Sequence, residues 1–208
     1  MPSHMTLFLG ASLALLLTPG PAVMYIVARS IDQGRTAGIV SALGAGTGTL
    51  FHVAAAALGL SALLVSSALA FSVVKYLGAA YLIYLGVRKL LEHNEPQQTE
   101  SPQPATLWQI FRQGVIVNVL NPKTALFFFA FLPQFVTNNG PVGAQILLLG
   151  SLFVLMGICT DSLYGLLAGT LGNWLRNSLA FARGQRYFAG GVYITLGITT
   201  ALAGVEKK

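Results

Sequence analysis

The sequence predicts an all-α integral membrane protein with about six transmembrane helices in a 3+3 inverted repeat, whose first and fourth helices are broken by proline. Three observations lead to this fold class. Of the 208 residues, 54% are hydrophobic and only 9% are charged, whereas soluble domains carry roughly 25% charged residues. Six apolar stretches approach the roughly 20 residues that cross a bilayer. The two halves of the chain also share motifs in the same order.

The apolar stretches divide the chain into two groups of three. Between them lies the stretch 92–106, which is rich in Pro, Gln and Glu and is typical of a solvated linker. We therefore expect one transmembrane domain over 1–208, with a first repeat over about 6–91 and a second over about 107–204. The predicted spans are 6–28, 38–65, 72–91, 114–136, 142–171 and 187–203.

Basic residues predict the orientation of these spans. The loops after the first, third and fifth spans carry most of the Arg and Lys residues, so the positive-inside rule places these loops in the cytoplasm and both termini outside. The net charge of +6 is then explained by the basic residues of these loops and does not indicate nucleic-acid binding. The stretch 6–28 is too long for the apolar core of a cleavable signal peptide. The basic residues are Arg29, Arg35, Arg88, Lys89, Arg112, Arg176, Arg183 and Arg186.

The inverted repeat is predicted from three matching features. The first span of each half contains a proline break, His52 aligns with Asp161 in the middle spans, and the segment 75–86 resembles 186–197. Because three spans per half is an odd number, the two copies insert in opposite senses. This pattern is typical of secondary transporters, which place their binding site near the membrane midplane.

The first candidate site segment is Thr18-Pro19-Gly20-Pro21, in the middle of the first span. Each proline removes a backbone donor, and the glycine lowers the local stiffness. Carbonyl groups freed in this way are costly in hydrocarbon unless they line a cavity or meet protein partners. We therefore expect a discontinuous helix whose exposed backbone contacts a substrate or an ion.

The second candidate segment contains Asn118, Asn121, Pro122 and Lys123, in the fourth span. Pro122 breaks this helix at the place that corresponds to the first break. A charge at this depth costs roughly 3 kcal/mol or more, so the ammonium of Lys123 requires a partner. That partner is a substrate carboxylate, an acidic side chain or the carbonyls of an unwound helix.

Asp161 is the only acidic residue within the predicted spans. Its carboxylate is expected to bind a substrate ammonium, to carry a coupled proton or to pair with Lys123. His52 in the second span is the other candidate for proton coupling, although a histidine there also serves as an interhelical hydrogen-bonding residue. Together, these opposite charges favour a zwitterion such as an amino acid over an apolar or purely cationic substrate.

Other chemistries fit these residues less well. A metal-cation exporter needs several carboxylates, thiols or imidazoles in the membrane, and Lys123 would repel the ion, so we expect no metal and no cofactor. The single cysteine, Cys159, excludes dithiol redox chemistry. Ser61 lies nine residues from His52 on the same helix, too far for a nucleophile and its base. A non-transporting scaffold leaves the buried charges unexplained, and glycines at helical spacing permit close packing within one chain or a homodimer.

These motifs resemble the lysine-exporter (LysE) superfamily, in its homoserine/threonine-resistance (RhtB) branch. The resemblance implies a multi-pass exporter of small amino acids or their derivatives, of the homoserine, threonine or lysine class, in the bacterial inner membrane and driven by protons. It also implies that the two proline segments line the transport path. Asp161 falls at a similar place in the fifth span. The matching segments are 18–21, 44–48 with His52, 75–86 and 111–135.

Overall fold

The structure, a computed structural model, describes residues 2–66, 68–91, 105–137, 140–177 and 179–202. Within these ranges every regular element is helical, as predicted, and most of the linker 92–106 lies outside them. A π-helical turn (Phe127–Phe131) and a 3-10 turn (Leu132–Phe135) follow α6. The α-helices are α1 (Pro2–Leu16), α2 (Pro21–Gln33), α3 (Arg35–Ser66), α4 (Ala68–Leu91), α5 (Leu107–Val119), α6 (Pro122–Leu126), α7 (Val142–Asn177) and α8 (Leu179–Leu202).

The predicted breaks in the first and fourth spans are present. α1 and α2 meet at an angle of 52°, and α5 meets the segment Pro122–Phe135 at 47°. A proline at the first position of α2 and of α6 explains both breaks, because proline starts a helix well but cannot donate to the preceding turn. The second broken helix begins at Leu107, whereas the predicted span begins at residue 114. Residues 107–113 and the remainder of α5 form one continuous helix.

Two long antiparallel helices, α3 and α7, pack along each other between the broken helices. Gly38 contacts Gly165 closely enough that a Cβ built on Gly38 would lie 3.0 Å from the partner Cα. Further along, a Cβ on Gly150 would lie 2.8 Å from the methyl groups of Val53. Small residues at these crossings allow the two backbones to approach, which is how helices associate where lipid replaces water.

α4 and α8 form a second close pair with reciprocal contacts. A Cβ on Gly86 would lie 2.6 Å from Ile194 Cγ1 and 2.9 Å from the Gly190 carbonyl oxygen. A Cβ on Gly197 would lie 2.6 Å from Ile83 Cγ1 and 2.9 Å from the carbonyl oxygen of residue 79. Gly86 and Gly197 occupy equivalent positions in the aligned segments 75–86 and 186–197. Each glycine therefore contacts the same two positions of the other segment.

Within the part of the chain that the structure describes, two helices are long and apolar enough to cross a membrane, over Arg35–Gly59 in α3 and Val142–Thr170 in α7. The number rises to four if each broken pair counts as one span. In their described parts, α4 and α8 do not meet the same criterion, although α8 contains a shorter apolar stretch, Gly190–Leu202. The total of six spans therefore stays a prediction.

Large apolar side chains are exposed on the outer faces of the helices, while several polar side chains are buried. Leu58, Leu148 and Leu155 on α3 and α7 are more than half exposed, whereas Asn118 and Lys123 are buried. Many exposed leucines are costly in water but not in lipid. The fold thus places its apolar surface outside and gathers polar groups at the level of the helix breaks.

Candidate translocation site

The first break exposes two carbonyl groups, and side chains from the second half of the chain satisfy both. The hydroxyl of Tyr164 donates to the Leu17 carbonyl at 2.8 Å. The Nζ of Lys123 donates to the Thr18 carbonyl. Gly20 caps α2 in an extended conformation without a side-chain hydrogen bond. The carbonyls of Leu17 and Thr18 are therefore satisfied by residues distant in sequence.

The second break is stabilised mainly by asparagine side chains. Asn121 caps α6 and accepts from the Lys123 amide at 3.1 Å. Asn118 donates from Nδ2 to the Ala45 carbonyl and to Thr49 Oγ1, each at 2.7 Å. The Oδ1 of Asn118 accepts from Asn121 Nδ2 at 3.1 Å. Asn118 thereby connects α3 to the break, and its side-chain donors and acceptor are all used in hydrogen bonds within the protein.

A small cavity lies between the two breaks. Its volume is about 30 Å³, whereas a cavity of roughly 150 Å³ is needed for a benzene-sized ligand. It holds roughly two water molecules, so the described conformation is too closed for an amino acid. The lining residues are Leu16, Gly20, Ala22, Val23, Gly46, Thr49, Asn118, Asn121, Lys123, Thr124, Phe153, Gly157 and Asp161.

Unsatisfied polar groups of both signs face this cavity. Among the described residues the carboxylate of Asp161 has neither a hydrogen bond nor an ion pair, although it is buried. The ammonium of Lys123 has three donors, of which the Thr18 carbonyl takes one. The amides of Ala22 and Val23 begin α2, where no acceptor exists within the helix. The cavity is therefore lined by both hydrogen-bond donors and a carboxylate.

The structure brings together five of the predicted site residues, since Gly20, Asn118, Asn121, Lys123 and Asp161 all line the cavity. Within the described residues, Lys123 and Asp161 interact electrostatically but form no ion pair at 4.0 Å or less. Of the three partners predicted for the ammonium of Lys123, the carbonyl of an unwound helix is the one in contact with it.

The remaining predicted residues lie behind the cavity wall. Thr18 contributes its carbonyl to Lys123, and its own hydroxyl donates back to the Ala14 carbonyl at 2.9 Å. Pro19, Pro21 and Pro122 shape the breaks without lining the cavity. His52 is also outside the lining, because its Nε2 bonds the Asn118 carbonyl at 3.0 Å.

Sequence reasoning missed three residues that the structure places at the site. Tyr164 bonds the first break, Thr49 bonds Asn118, and Phe153 closes one side of the cavity. The sequence did contain a signal for Tyr164, because this residue lies three positions after Asp161 and therefore on the same helix face. Thr49 and Phe153 carried no such signal, since threonine and phenylalanine are common in membrane helices for packing alone.

Different clusters close the two ends of the broken helices. A polar cluster of Tyr25, Arg29, Gln33 and Gln113 joins α2 to α5. Its Arg29 donates to Gln33 Oε1 at 2.8 Å and to Gln113 Oε1 at 2.7 Å. On the other side of the breaks, six rings pack together, with Phe153 stacked 4.2 Å from Phe127. This aromatic cluster consists of Phe8, Phe127, Phe128, Phe131, Phe135 and Phe153.

Comparison with known proteins assigns the chain to a family. The profile of the LysE type translocator matches residues 13–204. An uncharacterised membrane protein of Bacillus subtilis is 31% identical over 198 residues, covering 91% of this chain and 94% of the relative. The homoserine/homoserine lactone efflux protein of Salmonella typhimurium is 29% identical over 196 residues, covering 94% and 95%. No solved structure matches the chain significantly.

The family match extends over nearly the whole described fold, including both helix breaks and the cavity between them. It confirms the resemblance that the proline motifs indicated. The similarity to an efflux protein and the apolar exterior both indicate a protein that moves solutes through a membrane. The chain therefore belongs to the LysE family of translocators, and it is a membrane transporter and not an enzyme.

Proposed function

We propose that the protein exports small amino acids or their derivatives from the cytoplasm by proton-driven antiport. The observation that carries this proposal is the buried carboxylate of Asp161, which forms no hydrogen bond or ion pair with the described residues and shares a cavity with the ammonium of Lys123. A buried charge without a partner is costly, and a substrate of opposite charge removes that cost. A zwitterion satisfies both groups at once, which neither a simple cation nor a simple anion does.

In this proposal the substrate carboxylate is bound by Lys123 and by the free amides of Ala22 and Val23. The positive end of the α2 dipole adds to this attraction. The substrate ammonium is bound by Asp161 on the opposite side. The side chain of the substrate then lies against Leu16 and Phe153, which favours small and uncharged side chains.

The proposed mechanism is alternating access between two inverted repeats of three spans each. The prolines at the first position of α2 and α6, together with the reciprocal contacts of Gly86 and Gly197, support a two-fold relation between the halves. With six spans, the protein crosses the bacterial inner membrane with both termini outside. The polar cluster then lies on the cytoplasmic side of the cavity and the aromatic cluster on the outer side.

Each cluster serves as a gate in this mechanism. Water can replace the hydrogen bonds of the polar cluster when the cytoplasmic side opens, so its separation costs little. Opening the outer side separates stacked rings and exposes apolar surface, which costs more. An exporter that waits for substrate on the cytoplasmic side benefits from this difference, because its outer gate stays closed.

Asp161 is the proposed proton carrier. A proton that arrives from outside neutralises the carboxylate, releases the substrate ammonium and resets the transporter. His52 is the less favoured candidate, since it lies outside the cavity and already bonds the Asn118 carbonyl. The substrate class is proposed from the zwitterionic site, and the Salmonella relatives named as homoserine/homoserine lactone efflux proteins support it.

Transport in proteoliposomes tests this function. Vesicles are loaded with the twenty amino acids and homoserine, a pH gradient is imposed, and mass spectrometry identifies the compounds that cross. We expect gradient-dependent movement of one or a few small amino acids. Movement of metal cations alone, or no dependence on the gradient, would contradict the proposal.

Asp161→Asn is expected to abolish proton-coupled transport while leaving the protein folded. The amide keeps the size of the side chain but neither titrates nor attracts an ammonium, a loss of roughly 3 kcal/mol or about a hundredfold in rate. Asp32→Asn is the matched control, because Asp32 is exposed at the end of α2. Full coupled export by Asp161→Asn would remove Asp161 from the mechanism.

A further inference from the structure

The proline that starts α2 and the proline that starts α6 each remove one amide donor from a carbonyl of the preceding turn. In a continuous helix, the amide of residue i donates to the carbonyl of residue i−4, and proline has no amide hydrogen. Pro21 therefore leaves the carbonyl of Leu17 without the amide hydrogen of residue 21. Pro122 likewise leaves the carbonyl of Asn118 without the amide hydrogen of residue 122, although the Asn121 amide donates to it at 3.1 Å. In a membrane, an orphaned carbonyl is tolerated only if another group satisfies it.

Tyr164 supplies the donor that Pro21 lacks. Its hydroxyl lies 2.8 Å from the Leu17 carbonyl oxygen. Tyr164 belongs to α7 in the second half of the chain, whereas Leu17 belongs to the first. Asp161 lies one turn earlier on the same helix and interacts electrostatically with Tyr164. The helix that carries the cavity carboxylate thus also holds the first break.

His52 supplies a second donor to the Asn118 carbonyl, which also accepts from the Asn121 amide at 3.1 Å. Its Nε2 lies 3.0 Å from the Asn118 carbonyl oxygen, and this nitrogen carries the hydrogen because a carbonyl only accepts. The ring stacks on Phe128 with 12° between the planes, which fixes its direction. His52 belongs to α3 in the first half, whereas Asn118 belongs to the second. The second break therefore also receives a side-chain donor from the opposite half, here in addition to a backbone donor.

We propose that Tyr164 and His52 are positioning residues that hold the two breaks open, each acting on the break of the opposite half. Neither side chain lines the cavity, so both act through the backbone. The first break then moves with α7 and the second with α3 when the two halves shift. The effect on transport rests on the proposed function, because it requires that Lys123 and the α2 amides bind substrate.

Hydrogen–deuterium exchange of the purified protein in nanodiscs tests the two contacts separately. Tyr164→Phe removes only the hydroxyl, so we expect exchange about tenfold faster over 15–24 and little change over 118–125. His52→Leu is expected to give the opposite pattern. Tyr84→Phe makes the same chemical change on the exposed face of α4 and is expected to leave both segments unchanged.

His52→Gln separates hydrogen bonding from proton carriage. Glutamine cannot titrate, but its amide keeps a donor of similar reach. We expect exchange over 118–125 to stay within about threefold of the unmodified protein, and transport to fall less than in His52→Leu. The proposal would be overturned if His52→Gln and His52→Leu increased exchange over 118–125 and lowered transport equally. Unchanged exchange over 15–24 in Tyr164→Phe would also overturn it.

Transport kinetics of Tyr164→Phe complete the test. If Tyr164 aligns the donors of the first break, KM rises about tenfold with a smaller change in maximal rate. A fall in maximal rate at unchanged KM indicates a general loss of active protein and contradicts the positioning role. If the unmodified protein moves no amino acid while the exchange patterns hold, the proposed function fails and the assignment of the two donors stands.

Discussion

The two helix breaks have the same cause and different hydrogen bonding. Each precedes a proline at the first position of a helix, and the bends of 52° and 47° are similar. At the first break, Gly20 caps α2 and provides no side-chain acceptor. At the second break, the side chain of Asn121 caps α6 and accepts from the Lys123 amide.

This difference in capping gives the two breaks different roles at the cavity. An asparagine cap takes up an amide that would otherwise be free, whereas a glycine cap leaves the first amides of the helix available. The first break therefore offers backbone donors to the cavity. At the second break the Asn121 side chain takes up the Lys123 amide, and the side chain of Lys123 extends to the first break, where its Nζ donates to the Thr18 carbonyl.

Removal of the Lys123 ammonium is expected to have the largest effect, because this group serves both breaks. Lys123→Met keeps the apolar stem but loses the bond to Thr18 and the charge that faces Asp161. We expect transport in proteoliposomes to fall about a hundredfold, in line with roughly 3 kcal/mol for a hydrogen bond to a charged group. Arg88→Met removes a positive charge from the exposed face of α4 and should transport normally. Near-normal export by Lys123→Met would exclude the ammonium as a substrate contact.

A methyl group at the first cap is expected to have an intermediate effect. In Gly20→Ala the new Cβ would lie 3.1 Å from Lys123 Cδ, so the lysine stem must shift. The backbone at Gly20 has φ −132°, which alanine adopts without strain. We expect transport to fall about fivefold, corresponding to roughly 1 kcal/mol of overpacking. Gly10→Ala on α1 is the control, because a Cβ there meets nothing within 4 Å; equal transport by the two variants would contradict this effect.

Removal of the second cap is expected to have the smallest effect on transport. Asn121→Ala loses the bond to the Lys123 amide, which costs about 1 kcal/mol of stability in thermal unfolding. Thr106→Ala removes the cap of α5, whose hydroxyl accepts from the Gln109 amide at 3.3 Å, and should cost a similar amount. We expect only Asn121→Ala to lower transport, by about twofold to threefold. An equal change in both variants would mean that the second cap contributes stability alone.

The positions of the breaks were predictable and their partners were not. Pro21 and Pro122 interrupt a helix in any surroundings, because the missing amide hydrogen is a property of the residue. The sequence required a partner for the buried ammonium of Lys123, and any of three kinds of partner met that requirement. The observed contact with the Thr18 carbonyl depends on how α6 packs beside the first break. The expected spans over 72–91 and 187–203 depended on composition alone, and the helices α4 and α8 found there do not reach the apolar length of a span within their described residues.

The sequence by itself determined the all-helical class, the apolar exterior, both helix breaks and the presence of opposite charges inside the membrane region. These properties follow from composition and from rules that act within one or two turns of helix. The tertiary structure decided that Lys123 bonds Thr18 at a separation of 105 residues and that Tyr164 bonds Leu17 at a separation of 147. Among the residues that the structure describes, it also left the carboxylate of Asp161 at the cavity without a hydrogen bond or an ion pair. Such contacts arise only when helices distant in sequence pack side by side, because hydrogen bonds form over a few ångströms and local patterns do not specify which helices meet.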